Sequence, residues 1–204
     1  RGRCCVWQIL SNIFIINCTF VKNAATSGIG GIQFTTGEII KVHNSTFKFN
    51  IGSHGGAIGI KQLTLFVLHD CDMSNNSVHS HAGSISVLEV KNKSILYKCI
   101  ISDNKAKLNG GAITIMKSGF FIITKCIVKQ NRANAAGGLK LDECNNIIFS
   151  ASFIYLNYAS FHGGAILILG GSAIFIFDID LIGNIAGSKG SSLIAENKQF
   201  IYLR

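Results

Sequence analysis

Three groups of residues in this sequence have types and spacings that could carry chemistry. The first is acidic. Asp70 and Asp72 straddle Cys71, and Asp178 and Asp180 straddle Ile179. On a strand, residues two apart face the same way, so each pair sets two carboxylates side by side. Glycoside hydrolysis needs paired carboxylates converging on one cleft, and a calcium-dependent lyase needs an acidic metal site beside a base. The second group is His54, His79 and His81; His54 and His81 each stand just ahead of a glycine, 27 residues apart, positions that stacked repeats would bring together as a transition-metal site. The third is the seven cysteines, none of them in a C-x-x-C pair, which argues against a zinc ribbon or a redox motif. Four N-x-S/T sequons, at Asn17, Asn44, Asn75 and Asn92, are acceptors for N-linked glycans if the chain is secreted by a eukaryote.

Which of these groups can act depends on the elements that hold them. Asparagine recurs at Asn23, Asn50, Asn76, Asn104, Asn131, Asn157 and Asn184, with spacings of 27, 26, 28, 27, 26 and 27 residues. Three residues before each stands an apolar side chain: Phe20, Phe47, Met73, Ile101, Val128, Ile154 and Leu181. Five before stands a second column, Cys18, Ser45, Cys71, Cys99, Cys126, Ser152 and Ile179. Eight or nine after stands a third, Ile32, Ile58, Ile85, Ile113, Leu139, Ile166 and Leu193, and two further on a fourth. Glycine pairs such as Gly55-Gly56, Gly110-Gly111 and Gly163-Gly164 precede the third column.

Within each unit the alternation has period two, which reads as strands. Three strands leave no room for a helix, so the units must stack strand on strand. The expectation is all-β: a right-handed, single-stranded parallel β-helix of about seven rungs of about 27 residues, three strands per rung. Equivalent residues then lie about 4.8 Å apart in neighbouring rungs. The asparagines become a structural ladder in one turn, bonding rung to rung and satisfying turn backbone.

The register weighs against catalysis. The positions equivalent to Asp70 and Asp72 are Asn44 and Thr46 on one side, Lys98 and Ile100 on the other. No third carboxylate stacks on either pair, and Asp70 beside Lys98 reads as a surface ion pair. His54 and His81 precede the glycine corner in adjacent rungs, but no carboxylate or cysteine is placed to complete a site. The expectation is therefore a non-enzyme with no metal and no cofactor. The net charge of +9 comes mostly from scattered lysines that solvate the surface. Without aromatics interleaved on one face they do not make a nucleic-acid surface. Cys71, Cys99 and Cys126 read as a ladder of buried thiols. Cys4, Cys5 and Cys144 lie outside that column, free to pair with one another or with other parts of the chain.

Hydrophobic residues make up 48% of the sequence and charged ones 14%, with no proline. That is material for one long core and the reverse of a disordered composition. No apolar run is long enough to span a membrane as a helix. Residues 1–204 read as one β-helix domain, expected to be a fragment of a longer chain because it opens on Arg1 and shows no leader.

Two signatures recur, F-x-x-N at Phe20 to Asn23 and Phe47 to Asn50, and G-G-A-I at Gly55 to Ile58, Gly110 to Ile113 and Gly163 to Ile166. These resemble the polymorphic outer-membrane protein repeat, found in bacterial surface adhesins and in large eukaryotic proteins of the pectin-lyase-like β-helix class. The resemblance runs from Asn17 to about Ala195. It implies an extracellular or cell-surface protein without enzymatic activity, adhesive in the bacterial cases. Later rungs depart from it, with Met73, Ile101, Val128, Ile154 and Leu181 in place of Phe. A polysaccharide-binding or polysaccharide-degrading β-helix is the alternative.

Partners are expected on the outer face. One residue before the inward Ile15, Val42, Leu68, Leu96, Ile123, Phe149 and Ile176 stand Phe14, Lys41, Val67, Ile95, Ile122, Ile148 and Phe175. Six of those seven are apolar, and Ile100, Ile127 and Phe153 widen the band. A contiguous apolar column on a surface marks an interface. The expected occupant is another copy, another chain or another segment of this one, and head-to-tail contacts that do not close would build a fibre.

Overall fold

The computed structural model describes residues 5–7, 12–196 and 201–204, with no side chains described for 5–7. The described residues hold strands and turns and no helix. None is part of a helix long and apolar enough to cross a membrane. Every strand pairing is parallel, and each joins a segment to its equivalent about 27 residues away. The chain is a parallel β-helix of about seven turns.

Each rung has a glycine-side strand, a middle strand and a cysteine strand. In the fourth rung these are Ile85–Leu88, Ser94–Tyr97 and Ile100–Ser102. In the last two full rungs the three run together as Leu139–Tyr155 and Ile166–Ile182. The third column pairs in unbroken register from Ile32 through Ile58, Ile85, Ile113, Leu139 and Ile166 to Leu193. Those aliphatics are buried from Ile32 to Ile166, and the core is the interior of the coil. Phe20 and Phe47 stack with ring centroids 4.6 Å apart and planes 2° from parallel. Burying each such side chain contributes about 1.5–3 kcal/mol, which makes the stacked core the main stabilising term.

A fourth set of short strands adds to the three expected. Ile51–Gly52, Ser77–Val78, Lys105–Ala106, Arg132–Ala135, Tyr158–His162 and Ile185–Ala186 form a six-stranded sheet just after the asparagines. The carbonyls of the asparagines from Asn23 to Asn157 accept from the next rung there, as in Lys105 N–H to Asn76 O at 2.9 Å. The period-two pattern is too short in this segment to be read from sequence.

Single residues with left-handed backbone turn the corners. One column of them is Asn17, Asn44, Asp70, Lys98, Lys125, Ala151 and Asp178, at φ of 45 to 55°. Another precedes the asparagines, from Lys22 through Phe49, Asn75, Asp103, Gln130 and Leu156 to Gly183. In an L-residue this conformation costs about 1–2 kcal/mol, offset here by rung-to-rung hydrogen bonds such as Asn75 N–H to Ser102 O at 3.1 Å.

The asparagine ladder lies inside the coil. Asn50, Asn76, Asn104, Asn131 and Asn157 are at most 1% exposed. The Nδ2 of Asn76 donates to Asn104 Oδ1 (3.0 Å) and to the Phe47 carbonyl (2.9 Å), and its N–H donates to the same Oδ1 (2.9 Å). The Asn104 to Asn131 and Asn131 to Asn157 steps repeat this pattern. In Asn50, Asn76, Asn104, Asn131 and Asn157 both amide protons and the oxygen are used, and the amide-to-amide bonds all run the same way along the axis. Such chains of hydrogen bonds polarise one another.

Candidate functional site: the middle-strand flank

The outward face of the middle strands is built by alternation. Val42, Leu68, Leu96, Ile123 and Phe149 point in and are buried, so the residues on either side point out. Phe14, Lys41, Val67, Ile95, Ile122, Ile148 and Phe175 are successive register partners along the axis. Val67, Ile95, Ile122, Ile148 and Phe175 are half-buried by one another, and Phe14 is 59% exposed. Lys41 Nζ lies 5.6 Å from the Phe14 ring centre and covers part of it. On the neighbouring face Ile100, Ile127 and Phe153 are also register partners, and Ile100 and Phe153 are exposed. Both columns are apolar from the fourth rung to the sixth, with Tyr97, Lys98, Thr124 and Lys125 standing between them.

A second outward column runs beside the first: Ile16, His43, His69, Tyr97, Thr124, Ser150 and Phe177. His43 and His69 face each other across one strand spacing, Nδ1 to Nδ1 at 2.9 Å. His69 Nδ1 is also 2.8 Å from Asp70 Oδ2. The left-handed corner at Asp70 turns its carboxylate back toward the strand. Among the described residues, His43, His69 and Asp70 are the histidine, cysteine and acid side chains that converge as a trio. Sequence reasoning missed them, although both histidines stand one residue after the inward Val42 and Leu68 and so share a column.

The expected Asp70–Lys98 ion pair is replaced by Asp70–His69. Lys98 Nζ instead lies 5.4 Å from the Tyr97 ring centre, and Lys125 Nζ lies 5.5 Å from it. An aromatic face next to a long flexible cation competes well with an exposed carboxylate. Asp72 is engaged by Lys48 at 2.7 Å. Asp178 and Asp180 are exposed at the seventh rung, where Asp180 pairs in register with Phe153. A surface hollow of about 530 Å³ holds a single carboxylate, Glu89, which accepts a 2.8 Å hydrogen bond from Gln62.

Among the described residues His54, His79 and His81 do not gather into a metal-ligating trio. His54 Nδ1 is 2.7 Å from Ser53 Oγ, His79 is exposed, and the buried Nδ1 of His81 has no hydrogen-bond partner. The sequon asparagines Asn17, Asn44, Asn75 and Asn92 are all exposed. Asn44 Nδ2 donates to Asn17 Oδ1 at 2.8 Å, so these two occupy one spot on neighbouring rungs.

Cys71, Cys99, Cys126 and Cys144 are buried free thiols, and Cys18 is a half-buried one. The neighbouring Cys126 and Cys71 thiols, and then burial, hold Cys99 well above the ordinary thiol range. Cys144 corrects the sequence reading: it belongs to the core, donating to the Ile115 and Asp142 carbonyls at 3.3 Å each. Burial pushes its pKa up to about 11. It does lie outside the cysteine column, as expected, but stacks inside the coil in another column, paired with Gly171, where no second cysteine can reach it. Cys4 and the Cys5 side chain lie outside what the structure describes.

No family model matches the chain, and no curated protein does. Among solved structures, a trypsin-treated form of QnrB1, a plasmid-mediated fluoroquinolone resistance protein, aligns over 92% of each chain at 10% identity with a TM-score of 0.20. At that level the likeness carries no argument.

Proposed function

We propose that this chain is a non-catalytic structural or adhesive β-helix of the cell exterior, assembling side by side with a second copy through its middle-strand flank. The polymorphic outer-membrane protein class is the family this reading favours, on the F-x-x-N and G-G-A-I signatures alone. The observation that carries the proposal is the register-locked apolar column of Val67, Ile95, Ile122, Ile148 and Phe175. An aliphatic column with a strand-spacing repeat is self-complementary when two copies pack with their axes opposed. The polysaccharide-acting reading has less support, because Asp70 and Asp72 are engaged by His69 and Lys48 and Glu89 stands alone.

Sedimentation velocity over a concentration series tests the assembly. The chain is expected to associate, and an Ile122→Lys/Ile148→Lys double variant is expected to run as a monomer with unchanged circular dichroism. A wild-type chain that stays monomeric at high concentration sinks the reading. Intact mass of native material tests the exterior location, with sugar expected on the exposed sequons.

A further inference from the structure

We propose that His43, His69 and Asp70 form a surface site for a divalent transition-metal ion of the zinc, copper and nickel class. The argument starts from protons. His69 Nδ1 lies 2.9 Å from His43 Nδ1 and 2.8 Å from Asp70 Oδ2. With neutral rings, one N–H on His69 must serve both contacts, so His43 Nδ1 and Asp70 Oδ2 each aim a lone pair at it. Three ligand atoms are thus gathered around a single proton. When His69 carries its proton on Nε2 instead, a metal ion in the vacated place gains two imidazole nitrogens and one carboxylate oxygen.

The donor set suits this class of ion, since imidazole with carboxylate selects zinc, copper and nickel over calcium or magnesium. Zinc bonds of about 2.0–2.1 Å put neighbouring ligand atoms a little over 3 Å apart. The two short separations open to this by side-chain rotation, and all three atoms already lie within 4.8 Å of one another. The backbone needs no change. His43 and His69 are register partners in the sheet, and the corner at Asp70 is fixed by its N–H to the Tyr97 carbonyl at 3.1 Å. Tyr97 stacks on His69 with centroids 4.8 Å apart and holds that ring in place. The same Tyr97 draws Lys98 and Lys125 over its own face, away from the carboxylate. His69 and Asp70 side chains are 37% and 40% exposed, so an ion can enter and its remaining positions stay open.

Calorimetric titration of Zn²⁺ into the chelator-washed full chain, its accessible thiols alkylated, tests the site. One ion per chain is expected. His69→Gln should weaken binding by more than the about 10–100-fold that an outer-shell partner is worth. His54→Gln and His79→Gln should bind like the parent. With Cu²⁺ in place of Zn²⁺, electron paramagnetic resonance should show two coupled nitrogens, reduced to one in His43→Gln. His43, His69 and Asp70 are all solvent-facing, so circular dichroism should show each variant folded. Absence of saturable binding, binding unchanged in His69→Gln, or binding lost in His54→Gln overturns the proposal.

Discussion

At the asparagine corner every full rung counts five residues from the cysteine column to the ladder amide. At the glycine corner the count from that amide to the next inward aliphatic is eight or nine. The first corner is uniform because one side chain does the same job in each rung, and any change of length would break its hydrogen bonds. The second absorbs insertions because its constraint is close approach of backbone. Gly30, Gly56, Gly83, Gly111, Gly137 and Gly164 form one column in which a Cβ would strike the carbonyl oxygen of the next rung. The difference shows in polar atoms as well. The ladder amides are fully bonded, whereas His81 Nδ1, Ser84 Oγ, Thr114 Oγ1 and His162 Nδ1, at or near the glycine corner, are buried without a partner. A coil of this type needs one corner with exact hydrogen-bond bookkeeping, and the corner that varies is where polar side chains other than the repeat can be stationed.

The largest effect expected is at Asn104. Removing its amide leaves the N–H and Nδ2 of Asn76, the Asn131 Oδ1 interaction and the Met73 carbonyl unmatched in a buried column. Orphaned buried groups cost about 1–3 kcal/mol each. Asn104→Ala should therefore lower the urea midpoint by more than any single change at the glycine corner. Asn104→Ser should recover little, because a hydroxyl cannot span both neighbours. If Asn104→Ala costs no more than a surface substitution, the ladder is not what holds the corner.

Gly111→Ala comes next. The added methyl would meet the Gly137 carbonyl oxygen, which belongs to the backbone and cannot rotate away. Overpacking of this kind costs about 1–3 kcal/mol. Ala112→Gly, one residue on and buried at 0% exposure, serves as the control that removes a methyl without a clash. A Gly111→Ala chain as stable as its parent would mean that the rungs can separate at this corner, and the contrast between the corners would be lost.

What was legible in the sequence follows the same division. The ladder, the inward columns just before it and the outward parity of Val67, Ile95, Ile122 and Ile148 lie at fixed counts from an asparagine, so seven repeats fix them; the inward column after it shifts by one residue and is fixed by its alternation instead. The short sheet after the asparagines was not legible, because two- to five-residue strands carry too little alternation and lie in the segment whose length varies. The histidine trio was overlooked for another reason. His43 and His69 occur in only two rungs, so no repeat announces them, and the glycine corner drew attention to His54, His79 and His81 instead. Cys144 lies outside the cysteine column as read, but its burial was not legible because its column holds Gly171 beside it and no repeated residue type marks it as inward. The Asp70–Lys98 pair failed because a register gives neighbours but not the rotamer that decides between a carboxylate and the Tyr97 ring.

The smallest effect expected, and the sharpest test of the contrast, is in the pH dependence. The asparagine ladder contains no titratable group, so the stability it supplies should not change between pH 5 and 8. The glycine corner contains His81, whose pKa is lowered below its ordinary 6.5 first by burial and then by the charges of Lys140 and His54, with Asp142 opposing. A base with a depressed folded pKa takes up its proton more readily when unfolded. Its contribution is fully present above about pH 6.5, the unfolded value, and is lost as pH falls through the lower folded value. Removing the ring removes that loss. The unfolding free energies of the parent and of His81→Gln, measured by urea titration from pH 5 to pH 8, should differ by a constant above neutrality. Below about pH 6.5 the parent should fall faster than the variant. Asn104→Ala, by contrast, should lie below the parent by the same amount at every pH. Parallel curves for the parent and His81→Gln would show that the glycine corner is as indifferent to protons as the ladder. A pH-dependent gap for Asn104→Ala would show that the two corners are coupled through the core.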